Sequence, residues 1–171
     1  MIAGGLSAKK RNDMEDNTGN DRVTVRAYEP GDKEAVLGLI RLNTPEYFAP
    51  AEEADFDRYL EREREWYEVL LCDGRIVCCG GVNFADHGTT ARISWDIVHP
   101  DYQGRSLGTR LLSHRLERLR SVGTVRRITV RTSQLAYGFY EKHGFELREM
   151  QKDYWAEGLD MYRMEYGVVV P

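Results

Sequence analysis

The order of apolar and polar residues along the chain changes between two periods, one typical of strands and the other of helices. Apolar residues at every second position indicate a half-buried strand, whereas a spacing of three to four indicates an amphipathic helix. This pattern predicts extended segments at residues 23–28, 66–71, 75–84, 91–98, 125–131, 145–150 and 160–169. It predicts helices at residues 30–42, 51–64, 107–121 and 134–142.

The segments between these elements favour one α+β domain with a largely antiparallel sheet. Asp73-Gly74 is a predicted hairpin turn between two strands. Residues 1–21 contain little to bury and are predicted to form a flexible leader, which leaves residues 22–171 as a single domain. The third helix has an apolar side that Arg115 interrupts, formed by Leu107, Leu111, Leu112, Leu116 and Leu119.

Composition is that of a globular protein, and the local charge is more informative than the total. Of 171 residues, 42% are hydrophobic and 30% charged, and the net charge is −4, so no nucleic-acid or membrane partner is expected. Residues 102–134 contain eight arginines and a single acid, Glu117. This excess is typical either of a solvated helix face or of a half-domain that binds an anion.

The cysteines and the hydropathy predict a reducing compartment. Cys72, Cys78 and Cys79 have no His or Cys at metal-ligand spacing and are expected to be buried, reduced thiols, so no metal site is predicted. The sequence has no apolar run of membrane-spanning length and no hydrophobic region of a signal peptide. The predicted location is the cytoplasm.

The segment most indicative of function is the connection between the fourth strand and the third helix, residues 95–109. An apolar strand ends in a Pro turn, and a Gln-Gly-Arg-Ser-Leu-Gly loop opens directly into the Leu-rich helix. A helix N-terminus presents backbone N–H groups without partners and a partial positive charge, and glycine lets a phosphate approach the backbone closely. The order therefore predicts a diphosphate site.

A second segment, at residues 132–145, makes the prediction more specific. Together the two segments resemble the GCN5-related N-acetyltransferase (GNAT) family, whose cofactor motif is Gln/Arg-x-x-Gly-x-Gly/Ala and whose downstream signature is Asn-x-x-Ala-x-x-Phe-Tyr-x-x-x-Gly-Phe. The positions that fit the two motifs are Gln103, Gly104, Arg105, Leu107 and Gly108, followed by Ala136, Phe139, Tyr140, Gly144 and Phe145. The resemblance implies a mixed, mostly antiparallel sheet of about six or seven strands flanked by about four helices.

The resemblance also implies a cofactor, acetyl-CoA, and roles for individual residues. The pyrophosphate would lie on the loop amides, and the pantetheine arm would pair with the end of the fourth strand. Tyr140 would protonate the leaving thiolate, for which its ordinary pKa near 10 is suitable. The implied cofactor contacts are Ile97, Val98, Gln103, Gly104, Arg105, Ser106, Leu107, Gly108, Thr109, Ser133 and Tyr137.

Two positions depart from the family pattern, and these departures are consistent with a second, non-catalytic function. Ser106 replaces a motif glycine, where its Cβ would crowd the cofactor or its hydroxyl would bind a phosphate; Ser133 replaces the motif asparagine. The predicted function is direct acetyl transfer to the primary amine of a small molecule or a protein N-terminus. The alternative is a non-catalytic acyl-CoA-binding or sensing module of the same fold. A nucleotide-binding protein of another fold is disfavoured, because no Gly-Lys-Ser/Thr follows the loop.

The general base and the acceptor are less well defined by the sequence. Three residues are candidate bases: Asp96, Glu68 and His99. However, successive side chains of a strand point to opposite faces of the sheet, and this alternation would point Asp96 away from the site. The acidic second-helix region favours a cationic amine, and an aromatic wall is expected from Tyr47, Phe48, Tyr154 and Trp155. An exposed strand edge expected near residues 160–169 favours a homodimer.

Overall fold

The computed structural model describes residues 22–167, which form a mixed seven-stranded sheet with helices on both faces. The predicted leader and residues 168–169 of the last predicted strand lie outside the described residues. The strands are β1 Val23–Ala27, β2 Trp66–Cys72, β3 Arg75–Ala85, β4 Thr90–Val98, β5 Arg127–Ser133, β6 Phe145–Ala156 and β7 Leu159–Tyr166. The helices are α1 Lys33–Leu42, α2 Glu52–Arg62, α3 Leu107–Arg120 and α4 Tyr137–Lys142.

The sheet order is β1-β2-β3-β4-β5-β7-β6, and only the β4–β5 pair is parallel. The predicted α+β fold class is confirmed. The expectation of an exposed strand edge near residues 160–169 is wrong, because β6 and β7 form a hairpin that inserts β7 between β5 and β6. The edge strand is β6, which runs six residues beyond its predicted end at 150 because its pairing with β7 continues to Ala156.

Two helix pairs cover opposite faces of the sheet. The first face packs α1 and α2 against side chains such as Val69, Cys79 and Ile97. The second packs α3 and α4 against side chains such as Ile93 and Val130. All three cysteines are buried and unbridged. No helix within residues 22–167 is long and apolar enough to cross a membrane.

The sheet splits between β4 and β5. Their parallel pairing ends at Ile93 and Val130, so the rest of β4 pairs with no described strand on that side. A bulge causes the divergence: two β4 residues lie between positions opposite Gly81 and Cys79 where β3 has one, and Trp95 takes a φ of +49°.

The bulge also reverses the side-chain alternation of β4, so that Asp96 points toward α3 and α4. An unbroken period of two would have directed this carboxylate to the opposite face.

Candidate active site

The loop that precedes α3 contains two residues in the left-handed region of backbone conformation. Gly104 and Ser106 have φ values of +78° and +59°, a region that favours glycine. The Arg110 N–H donates to the Ser106 carbonyl at 3.0 Å, which closes the first helical turn. The amides of residues 107–109 therefore have no acceptor within the helix and point out of its N-terminus.

These amides open into a groove of about 430 Å³ between α3 and α4, here called the cofactor groove. It brings together seven of the predicted cofactor residues: Val98, Gln103, Gly104, Ser106, Leu107, Gly108 and Thr109. The α4 side contributes Gly138, Phe139, Lys142 and His143. His143 joins the two helices: its Nδ1–H donates to the Phe139 carbonyl at 2.7 Å, and its Nε2 lies 3.1 Å from the Thr109 hydroxyl oxygen.

The other predicted cofactor residues do not line this groove. Ile97 is buried in the core under α1 and α2, and the guanidinium of Arg105 lies 5.0 Å from the centre of the Tyr102 ring. Tyr137 stacks on Tyr162 with ring centres 5.1 Å apart. The Ser133 hydroxyl is buried and has no hydrogen-bond partner among the described residues.

Tyr140 lies beside the sheet split in a buried polar cluster. Its hydroxyl donates to Asp96 Oδ2 at 3.2 Å, and Asp96 in turn forms an ion pair with Arg115. The exposed fractions of Tyr140, Asp96 and Arg115 are 0%, 2% and 1%. Burial, and secondarily the Asp96 charge, raises the pKa of Tyr140 well above its ordinary value. The phenol therefore stays protonated at neutral pH.

This cluster explains two sequence features. Arg115 interrupts the leucine side of α3 because its guanidinium pairs with Asp96 and donates to the Gly81 carbonyl at 2.9 Å. Gly80 lacks a side chain because a Cβ there would lie 2.1 Å from Asp96 Oδ1.

The three candidate bases are all engaged elsewhere. The Asp96 carboxylate is occupied by Arg115 and Tyr140. Glu68 accepts from His114 Nδ1 at 3.0 Å and from Arg118 Nη1 at 2.9 Å, on the α3 face of β2. His99 contacts Arg75 at 3.0 Å, and burial together with the Arg75 charge lowers its pKa.

A second groove, of about 400 Å³, opens on the opposite face of the sheet at the same split, and we call it the acceptor-side groove. The strands supply Arg92, Ser94, Trp95, Thr129, Arg131 and Arg163, while Glu52 and Trp155 come from α2 and β6. Glu52 is a carboxylate that the sequence did not distinguish from its acidic neighbours. Its Oε2 accepts from the Ala49 N–H at 2.8 Å, and burial raises its pKa.

Most of the acidic second-helix region does not reach this groove. Its members form surface ion pairs instead: Glu53 with Arg41, Asp55 with Arg58, and Asp57 and Glu61 with Lys33. Of the expected aromatic wall, only Trp155 lines the groove. Phe48 is buried and stacks on Trp95, and Tyr154 packs edge-on against Trp155.

Known proteins share the sequence pattern and the fold of this chain. Residues 36–145 match the family model described as the acetyltransferase (GNAT) family. The chain belongs to this family, so the predicted family is confirmed. The acetyl-CoA cofactor and the acetyl transfer that the sequence predicts are those of the family.

Similar proteins include both curated relatives and solved structures. The chain is 30% identical over 132 residues to an amino-acid acetyltransferase of Pasteurella multocida (strain Pm70), a match that covers 74% of this chain but 28% of the relative. The ribosomal-protein-S18-alanine N-acetyltransferase of Escherichia coli superposes with a TM-score of 0.72 at 22% identity, covering 84% of this chain and 92% of that one. An aminoglycoside 6'-N-acetyltransferase complexed with coenzyme A gives 0.70 at 15% identity, with coverages of 86% and 97%.

Proposed function

We propose that this protein transfers the acetyl group of acetyl-CoA directly to a primary amine of a small molecule or a protein N-terminus. The observation that best supports this proposal is the split between β4 and β5, which has a groove on each face of the sheet. Direct transfer needs two reactants to meet from separate binding sites, and holding them in register supplies much of the rate.

The residues of the cofactor groove fit acetyl-CoA. The free amides of residues 107–109 and the Lys142 side chain suit phosphate groups. Outside this groove, the Ser133 hydroxyl without a described partner and the end of β4, which pairs with β3 but no longer with β5, suit an amide-containing arm beside the strand. When bound, acetyl-CoA supplies an acetyl group activated as a thioester.

Two side chains support the proton transfers. Glu52 is a partly desolvated carboxylate on the acceptor-side groove with a raised pKa, which suits a general base for the ammonium form of the acceptor. Tyr140 keeps its proton at neutral pH and lies beside β4, which suits a general acid. The Tyr140 hydroxyl donates to Asp96, so it must break this hydrogen bond before it can donate its proton to the leaving thiolate.

The names of similar proteins span amino-acid, protein and aminoglycoside acceptors, and the chain covers only about a quarter of the amino-acid acetyltransferases it matches. These names support the chemistry and leave the acceptor open. A cytoplasmic location also belongs to the proposal and is supported by three unbridged cysteines. The homodimer remains a prediction.

The test combines calorimetric titration with CoA and amine-dependent thiol release from acetyl-CoA. Gly138 faces the cofactor groove with open space at its Cβ position, so Gly138→Trp fills the groove without a core clash. Gly31→Trp, also into open space but outside the groove, is the matched control. We expect turnover by the wild type and the control, and a loss of CoA affinity of about tenfold or more in Gly138→Trp, equivalent to ~1.4 kcal/mol. CoA binding without turnover on a broad amine panel would favour the binding module.

A further inference from the structure

The acceptor-side groove is lined by several hydrogen-bond donors, and three of them are positively charged. Three guanidinium groups reach it from neighbouring strands, those of Arg92 on β4, Arg131 on β5 and Arg163 on β7. Glu52 is the one carboxylate among the lining residues that the structure describes. A groove with this balance attracts an anionic group.

The pairing of these arginines leaves two of them without a carboxylate. Arg163 Nε donates to Glu149 at 2.8 Å. Arg131 Nη1 donates to the Tyr154 hydroxyl at 3.1 Å, and Arg92 has no side-chain hydrogen bond or ion pair among residues 22–167. By contrast, Lys33 and Arg41 of α1 and Arg58 of α2 have carboxylate partners.

The sheet register sets two of these charges opposite each other. Arg131 and Arg163 are direct cross-strand partners on β5 and β7, and like charges in such positions destabilise a sheet. Glu149 offsets this repulsion at Arg163, whereas Arg131 has no carboxylate partner among the described residues, so an anion beside Arg131 would lower the repulsion further.

An independent donor points to the same ligand chemistry. The Trp155 indole Nε1 is shielded from solvent and has no acceptor among the described residues, although Trp155 lines this groove. An indole N–H can only donate, so a buried one without a partner is unfavourable unless a ligand oxygen accepts from it.

We propose that the acceptor is a free amino acid, whose carboxylate binds at Arg92 and Arg131 while its amine faces the sheet split. This proposal rests on the proposed acetyl transfer and names the substrate class of that same site. Guanidinium groups are well matched to a carboxylate, and the groove volume of about 400 Å³ is in the range of small-molecule sites. The sequence favours a cationic amine, and the proposal adds a carboxylate to it.

The test compares free amino acids with their primary amides, which keep the amine and lose the carboxylate. With acetyl-CoA saturating, we expect the best amino acid to exceed its amide by about tenfold or more in kcat/KM. Arg92→Gln and Arg131→Gln should lower kcat/KM for the acid by roughly 10- to 100-fold, mainly through KM, and leave the amide within about threefold. Arg148→Gln, an exposed β6 arginine paired with Glu146, is the matched control and should change neither.

Calorimetric titration of the same amino acid in the presence of CoA measures binding without turnover. Arg92→Gln should weaken the affinity for the amino acid by the same factor as it lowers kcat/KM. The proposal is wrong if the enzyme acetylates amides, polyamines or aminoglycosides with the same kcat/KM as free amino acids. It is also wrong if C-terminally amidated peptides that begin with Asp or Glu give the same kcat/KM as free amino acids. Failure to acetylate any amine would instead refute the proposed function, and the calorimetry would then show separately whether the arginines bind a carboxylate.

Discussion

The Tyr140 hydroxyl donates to Asp96 across 3.2 Å in a region closed to solvent, so the tyrosine of the Phe-Tyr pair is hydrogen-bonded to the very strand that diverges at the sheet split. Arg115 holds the same carboxylate from α3. The phenol is thus both a packing element and the candidate proton donor, and its two roles have separable consequences.

Replacing Tyr140 by phenylalanine separates them. Tyr140→Phe keeps the ring and leaves Asp96 Oδ2 without a donor, which should cost about 1–3 kcal/mol in the free energy of unfolding measured with urea. If the hydroxyl is also the general acid, kcat should fall by about 10²- to 10⁴-fold. A folded variant whose kcat stays within about twofold of wild type would assign Tyr140 to structure alone.

Gly80 tests how tightly the Asp96–Arg115 pair packs on β3. The Cβ of Gly80→Ala would lie 2.1 Å from Asp96 Oδ1 and 2.9 Å from Arg115 Nη1, so the buried pair must move. We expect a loss of about 1–3 kcal/mol in unfolding free energy. The control is Gly38→Ala in α1, which meets open space and should stabilise by about 0.5–1 kcal/mol. Equal stabilities of the two variants would contradict a tightly packed Asp96–Arg115 pair beside Gly80.

Ser106 is the position at which the loop departs from the family motif. Its hydroxyl makes no capping hydrogen bond, and it lines the cofactor groove. We therefore expect the Ser106 hydroxyl to donate to a phosphate oxygen, so Ser106→Gly should weaken CoA binding by about 3- to 10-fold in calorimetry. The same substitution should relieve the strain of a non-glycine residue in the left-handed backbone region. Ser121→Gly, at the far end of α3, should leave CoA affinity unchanged. Tighter CoA binding by Ser106→Gly would mean that the Cβ obstructs the cofactor.

Glu52 makes the pH dependence testable. Because burial raises its pKa, the base form is lost as pH falls through a value above that of an ordinary glutamate, and kcat/KM should fall with it. Glu52→Gln retains an oxygen for the Ala49 N–H, and it should lower kcat by about 10²-fold or more and abolish this acid limb. The neighbouring Glu53→Gln, whose partner is Arg41 on the surface, should keep the wild-type profile. An unchanged acid limb in Glu52→Gln would exclude Glu52 as the base.

The cofactor side was predictable from sequence because its signals are local. The Pro turn, the glycine loop and the leucine spacing of α3 all lie within residues 97–119, and the structure collects seven of the predicted residues in one groove. The direction of the Asp96 side chain was not predictable from sequence. It depends on a bulge at Trp95, which forms opposite the adjacent Gly80 and Gly81 of β3.

The acceptor side escaped prediction for a similar reason. Arg92, Arg131 and Arg163 are far apart in sequence and become neighbours only through the β4–β5–β7 order. Glu52 is one acid in a run of acids, and only its burial beside the groove sets it apart. Pairing with β7 likewise extended β6 beyond the last residue that its own pattern predicted.

Direct transfer requires the two grooves to meet through the β4–β5 split, and one dissociation constant tests this connection directly. A bisubstrate analogue, in which the CoA sulfur is joined through an acetyl bridge to the amine of an amino acid, should occupy both grooves at once. Calorimetry should give a Kd at least about tenfold tighter than that of CoA, and Gly138→Trp and Arg92→Gln should each weaken it. An analogue that binds no more tightly than CoA, and is insensitive to Arg92→Gln, would contradict a connected site.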